Sequence, residues 1–255
     1  MRYNELTFQG RNAVLEAFRS GKTIDKLFIL DGCQDGPIKS IVREAKKTDA
    51  IINYVDKERL DRLAGTGHHQ GVVAIGAAYE YAEVEDILAA AKEKGEDPFI
   101  FILDEIEDPH NLGAIIRTAN LAGAHGVIIP KRRAVGLTAT VAKTSAGAIN
   151  YTPVAKVTNI SQTIEELKKQ GLWFVCADMG GETMYNLNLK GPIGLVIGNE
   201  GNGVSRLVKD KCDFIASIPM KGDIDSLNAS VAAGVLAYEI VRQSCLLYTS
   251  PSPRD

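Results

Sequence analysis

The sequence predicts an α/β protein built mainly on a parallel sheet and preceded by a smaller α/β unit. Three observations carry this. From Phe99 onward the apolar stretches become nearly unbroken, as in Phe99-Ile-Phe-Ile-Leu103 and Ile193-Gly-Leu-Val-Ile197, which is how strands buried on both faces of a parallel sheet read. Helical patterns alternate with those runs, and such alternation places helices on both faces of the sheet. Residues 1–78 differ in texture, with short strands and helices enough for a small unit with a modest core.

Taken in order, residues 11–20 read as a helix, with Val14, Leu15 and Phe18 at helical spacing. A strand follows at 26–30, a helix at 38–47, a strand at 51–55, a short helix at 57–64 and a strand at 71–75. Residues 79–83 carry little apolar weight and read as a linker. The amphipathic helix 84–94 is stopped by Gly95 and Pro98, so 79–97 form a linker with a leading helix. In residues 98–243, strands at 99–103, 126–129, 172–176, 193–197 and 214–218 alternate with helices at 111–123, 138–149, 159–170, 203–211 and 228–243. Residues 244–255 lack periodicity, contain Pro251 and Pro253, and read as a non-native tail.

Composition excludes several classes. The chain has 255 residues, 45% hydrophobic and 24% charged, as in ordinary globular proteins. No apolar run reaches the roughly 18–20 residues that cross a membrane, and the first residues lack the apolar core of a signal peptide. Cys33, Cys176, Cys212 and Cys245 are scattered, with no CxxC pair, so neither a zinc site nor a disulfide framework is expected and a cytoplasmic location fits. The net charge of −3 counts against a nonspecific nucleic-acid binder. Local basic clusters remain at Lys131-Arg132-Arg133 and at Arg43 with Lys46-Lys47; each alone reads as a solvated face.

Three segments stand out, each just after an expected strand, at the edge where open α/β sheets bind ligands. The first is Asn111-Leu-Gly-Ala-Ile-Ile-Arg117. Leu112, Ile115, Ile116 and Ala119 form one apolar stripe, and at 100° per residue Arg117 points away from it. Taken alone, Arg117 is a solvated arginine and Asn111 a helix N-cap; held at a site, Arg117 offers a fork of donors for phosphate or an oxyanion. The second is Gly198-Asn-Glu-Gly-Asn-Gly203, whose glycines let backbone amides approach a ligand. Its spacing is neither GxGxxG nor GxxxxGK[ST], which disfavours dinucleotide-binding and P-loop enzymes. The third is Ile218-Pro219-Met220 followed by Ser226-Leu-Asn-Ala-Ser230, polar residues at a helix start and then small ones.

Together, Asn-x-Gly-x-x-x-Arg-Thr at 111–118, Gly-x-Glu-Gly-x-Gly-Val at 198–204 and Ile-Pro-Met…Ser-Leu-Asn-x-Ser-Val at 218–231 resemble the SpoU/TrmH branch of the SPOUT methyltransferases. Gly10-Arg-Asn-Ala-Val14 and His69-Gln-Gly-Val72 are similar to the substrate-binding domain of the enzymes that methylate a guanosine 2′-hydroxyl in 23S ribosomal RNA, so the resemblance covers about residues 8–243. It implies methyl transfer from S-adenosylmethionine to a ribose 2′-hydroxyl of RNA, by a homodimer, without metal. It implies an N-terminal domain like ribosomal protein L30e and a trefoil knot in the C-terminal domain, an exception to the rule that chains do not thread their own loops. Carried over, Gly198, Ile218 and Leu227 contact the cofactor, with Met220 close by. Arg117, Asn111, Glu200, Ser226 and Asn228 form the catalytic set. Arg11, Lys22 and Lys26, with the loop Lys131–Arg133, supply basic surfaces for RNA. Alternatives are a transfer-RNA or other ribosomal-RNA ribose methyltransferase, and a non-catalytic RNA-binding scaffold.

Overall fold

The structure, a computed structural model, describes residues 6–48, 50–65, 68–224 and 226–245. The chain divides into two compact units: residues up to Glu80 together with Gly136–Ala139, and Tyr81–Val135 together with the chain from Thr140 on.

The first unit runs β1 (Leu6–Gln9), α1 (Arg11–Arg19), β2 (Ile24–Leu30), α2 (Gly36–Lys47), β3 (Ile51–Val55), α3 (Lys57–Ala64) and β4 (Val72–Gly76). Its sheet has the order β1-β4-β2-β3, with β2 and β3 parallel and β4 antiparallel to both β1 and β2. Local chemistry sets the helix ends. Asp35 accepts from the Ile38 amide at the start of α2, Asp56 accepts from the Arg59 amide at the start of α3, and Gly65 ends α3 at φ 66°. Val14, Phe18, Leu27, Ile29, Ile38, Ile41 and Val72 form the core under α1 and α2.

The second unit adds α4 (Val84–Lys94), β5 (Phe99–Asp104), α5 (Pro109–Leu121), β6 (Gly126–Pro130), α6 (Ala139–Thr144), β7 (Val154–Val157), α7 (Ile160–Lys169), β8 (Trp173–Thr183), β9 (Ile193–Gly198), α8 (Arg206–Lys209), β10 (Phe214–Ser217) and α9 (Ala229–Cys245). All pairs in its sheet are parallel, in the order β10-β8-β9-β5-β6-β7. Every residue of β5 and β9 is buried, so the unbroken apolar runs do mark the centre of the sheet. The core links Ile100, Ile102, Ile128, Phe174 and Val196 with Ile160, Ile164 and Leu167 of α7.

The expected elements are recovered with several differences. Two short strands, β1 and β7, had no expectation. The helix expected at 138–149 is interrupted after Thr144, because Ala146 and Gly147 take positive φ of 50° and 89° before a short 3-10 turn at Ala148–Asn150. The helix expected at 203–211 is reduced to α8, since Gly203 at φ 66° belongs to the preceding turn. The strand expected to end at 176 continues to Thr183 through an irregularity. Ile215 of β10 faces Cys176, but Ala216 faces Glu182, so residues 177–181 stand outside the ladder. Gly181 permits this: a Cβ there would lie 2.3 Å from the Ile215 carbonyl oxygen. Of the expected tail, Ser244 and Cys245 continue α9; residues 246–255 lie outside the described residues.

Candidate functional site

The carboxyl ends of β8, β9 and β10 come together around one cavity in the second unit, and the end of β5 anchors one of its loops. Asp104, at the end of β5 and 5% exposed, accepts from the Ser205 amide at 2.8 Å. Glu105 next to it has φ 59°, and its carbonyl accepts from the Asn199 side-chain amide at 3.1 Å. Asn199 in turn accepts from the Gly201 amide at 2.7 Å, and its own carbonyl accepts from the Gly203 amide at 2.8 Å. The glycine-rich segment is therefore a closed turn anchored to β5. Gly198 is needed for that closure, because a Cβ there would lie 2.1 Å from the Gly203 carbonyl carbon. A larger residue at 198 would therefore break the turn before it could block a ligand.

Three of the expected catalytic side chains meet directly. The Asn111 amide donates to Glu200 Oε1 at 2.8 Å, and the Asn228 amide donates both to that oxygen and to Asn111 Oδ1, the latter at 3.0 Å. Asn228 Oδ1 accepts from the Ser230 amide at 2.9 Å, which fixes the start of α9. Segments 89 and 117 residues apart in the chain are thus clasped through one carboxylate. Both amides bond Oε1, and the described residues place no donor on Oε2. Asn111 is not the N-cap of α5. Asp108 holds that position, accepting from the His110 amide, and Pro109 opens the helix. Asn111 lies inside the first turn, 6% exposed, free to serve the clasp.

The cavity beside the clasp has a volume of about 350 Å³, within the range of small-molecule sites. Gly198, Glu200, Ile218, Met220, Ser226 and Leu227 all line it. Arg117 is not among the residues lining the cavity. Six positions after Asn111, it is turned about 120° from it around α5, is exposed, and makes no ion pair among the described residues. The expected separation of Arg117 from the apolar stripe holds, since Leu112, Ile115, Ile116 and Ala119 are all fully buried.

Sequence reasoning missed one wall of the cavity, formed by Ala177, Asp178 and Met179. The Gly180-Gly181 pair shortly after the apolar run 172–176 is the available signal of an irregular strand. The expected basic surfaces also change. Arg11 is held internally, with its guanidinium 2.5 Å from Asp35, its Nε donating to the Gln70 carbonyl at 3.1 Å and its amide to the Gln70 side chain at 3.1 Å. Lys22 is exposed and Lys26 half-buried. In the loop Lys131–Arg133, Arg133 pairs with Glu105 at 3.0 Å, and Arg132 is exposed.

The cavity suits a nucleoside-type cofactor. Backbone of the 198–203 turn offers polar groups at close range, while Ile218, Leu227 and Ala229 offer apolar surface. Among the described residues no group of His, Cys, Asp and Glu could hold a metal ion, and no helix is long and apolar enough to cross a membrane.

Comparison with known proteins agrees with the geometry. Residues 98–238 match the SpoU rRNA Methylase family, and residues 9–82 match the RNA 2′-O ribose methyltransferase substrate binding family. The TrmH family tRNA/rRNA methyltransferase YacO of Bacillus subtilis is 53% identical over 92% of this chain and 94% of its own length. A TrmH family tRNA/rRNA methyltransferase of Staphylococcus haemolyticus is 49% identical over 94% of this chain and 96% of its own. The SpoU methyltransferase AviRb of Streptomyces viridochromogenes, solved with the cofactor AdoMet, aligns with a TM-score of 0.58 at 25% identity, over 94% of this chain and 90% of that one. With both family models on one chain and the clasp and cavity where the motifs converge, the chain belongs to the SpoU/TrmH family of RNA 2′-O-ribose methyltransferases, enzymes that use S-adenosylmethionine.

Proposed function

We propose that this protein methylates the ribose 2′-hydroxyl of a guanosine in 23S ribosomal RNA, working as a cytoplasmic homodimer. The observation that carries the reaction is the clasp of Asn111, Glu200 and Asn228 at the rim of the cavity. A separate N-terminal unit matching a substrate-binding family supports a large structured RNA as the substrate. The dimer is supported by apolar side chains on the packed α5–α9 pair: Leu121, Val231 and Tyr238 are 65%, 49% and 52% exposed. The reading assigns residues 1–78 to RNA binding, 79–97 to a linker and leading helix, and 98–243 to methyl transfer through a trefoil-knotted chain.

S-adenosylmethionine, when bound, supplies an electrophilic methyl group on a sulfonium. Gly198, Ile218, Leu227 and Met220 hold it in the cavity, the first by keeping the turn closed and the others by apolar contact. Asn111 and Asn228, oriented by Glu200, position the substrate ribose at the rim, with Ser226 beside them. Proximity and alignment are the largest contributions such a site can make. Arg117 stands off the cavity, so its partner is the RNA. A guanidinium stays protonated at ordinary pH; Arg117 therefore binds a phosphate next to the target ribose and stabilises negative charge growing on the 2′-oxygen, while the hydroxyl proton passes to water and S-adenosylhomocysteine leaves as the thioether.

Arg117→Ala is expected to lower methylation by about 10²–10³-fold, as removal of one aimed electrostatic group does, while calorimetric binding of S-adenosylmethionine stays near wild type. Mapping of 2′-O-methylation in treated ribosomal and transfer RNA reads the substrate; modification confined to transfer RNA would replace the 23S assignment.

A further inference from the structure

The irregular segment of β8 places a carboxylate in the cavity that none of the sequence motifs includes. Asp178 lies within residues 177–181, outside the β8–β10 ladder, and lines the cavity with its neighbours Ala177 and Met179. It is held from two sides. Its Oδ1 accepts from the Gly180 amide at 2.9 Å, and its Oδ2 accepts from Lys209 of α8. Lys209 chiefly, against the opposing effect of burial, keeps the Asp178 carboxyl below the usual aspartate range, so the group is ionised and acceptor-only at neutral pH. A carboxylate has room for about four donors. Two are supplied by the protein, which leaves acceptor positions on a residue that lines the cavity.

Glu200, the other carboxylate lining the cavity, is engaged by the amides of Asn111 and Asn228 on the β5–α5 side. Asp178 belongs to β8, which lies on the far side of β9 from β5, so it faces the cavity from the side away from α5 and Asn111. The substrate ribose is met at the Asn111 side in the function proposed above. The nucleoside end of the cofactor is therefore left for the β8 side, where its hydroxyl donors need an acceptor.

We propose that Asp178 is a cofactor-binding residue that accepts hydrogen bonds from the ribose diol of S-adenosylmethionine, with Lys209 as its positioning residue. The assignment rests on the cofactor occupying this cavity. Calorimetry of the full chain with S-adenosylhomocysteine and with 5′-methylthioadenosine, which keeps the ribose and lacks the amino-acid end, tests it. Asp178→Asn should weaken both ligands by the same factor, about 10- to 100-fold, as loss of a charged hydrogen-bond partner does. Lys209→Met keeps the carboxylate and should weaken both by roughly threefold, the scale of a half-exposed ion pair; it carries the test alone if the first variant fails to fold. Loss confined to S-adenosylhomocysteine would move Asp178 to the amino-acid end and overturn the ribose assignment, and unchanged binding of both would remove Asp178 from the site. Failure of the wild-type chain to bind either ligand is a different result, which would overturn the cofactor reading itself.

Discussion

Each unit of this protein contains a place where sequence motifs far apart in the chain meet through polar side chains, and the two places end differently. In the first unit, Arg11 and Gln70 bond each other through backbone and side chain, Arg11 reaches Asp35, and buried His69 accepts from the Gly71 amide and contacts Asp61 at 2.8 Å. In the second, Asn111 and Asn228 converge on one oxygen of Glu200 beside a cavity, leaving the other oxygen without a donor among the described residues. The first arrangement joins its groups to one another, with Arg11 and Asp35 both partly exposed. The second is rigid yet retains acceptor capacity where a ligand can reach it. Dense motifs therefore have two physical causes, and the second is marked by an open acceptor at a cavity wall.

Breaking the second arrangement should have the largest effect on chemistry. Glu200→Ala removes the shared acceptor, leaving the Asn111 amide without a partner and the Asn228 amide with Asn111 Oδ1 alone. Methylation is expected to fall by about 10²–10³-fold, the loss typical of misaligned catalytic groups, with a melting temperature within a few degrees of wild type. A large drop in melting temperature with proportionate loss of cofactor binding would make Glu200 a fold residue instead. Breaking the first arrangement should show the opposite pattern. Arg11→Ala costs about 1–2 kcal/mol of stability in urea titration, given charged but half-exposed partners, and leaves S-adenosylmethionine affinity unchanged. If Arg11→Ala instead left stability intact and weakened RNA binding, the Arg11 corner would be an RNA contact after all.

The smallest effect concerns His125, a saturated polar group in the second unit itself. It is 4% exposed, accepts from the Phe99 amide at 3.1 Å and lies 3.1 Å from Glu96. Burial, opposed mainly by Glu96, holds its pKa below the ordinary value of 6.5. The unfolded chain therefore binds the proton more readily than the folded one, so this contribution to stability is complete above about pH 6.5 and is lost as pH falls below it. The melting temperature should drop more between pH 7.5 and 5.5 for wild type than for His125→Gln; equal drops would assign the acid sensitivity to other groups.

Much of this contrast was legible in the chain. The unbroken runs of β5 and β9 located the sheet centre, the helix 84–94 was read to its ends because Gly95 and Pro98 punctuate it, and Arg117 separated from its apolar stripe by helical spacing alone. What escaped is local and has local reasons. Four-residue strands such as Val154–Val157 are too short to show a period. Asn111 reads as a cap by residue type alone, while Asp108, three residues earlier and followed by Pro109, is the true cap of α5. The wall at Ala177–Met179 was invisible because polar and glycine residues seemed to end a strand that resumes at Glu182 only through its partner β10. That pairing is a tertiary fact with no signature in a single segment.

The unpaired stretch 177–181 also bears on how this family diversifies. Because its backbone carries no part of the β8–β10 ladder, side chains there other than at Gly181, which a Cβ would drive into Ile215, can be exchanged without dismantling the sheet that supports the clasp. Enlarging the wall at Met179, which is 62% exposed, offers a route to an enzyme that accepts cofactor analogues with a bulkier nucleoside while its RNA-facing side is left as it is.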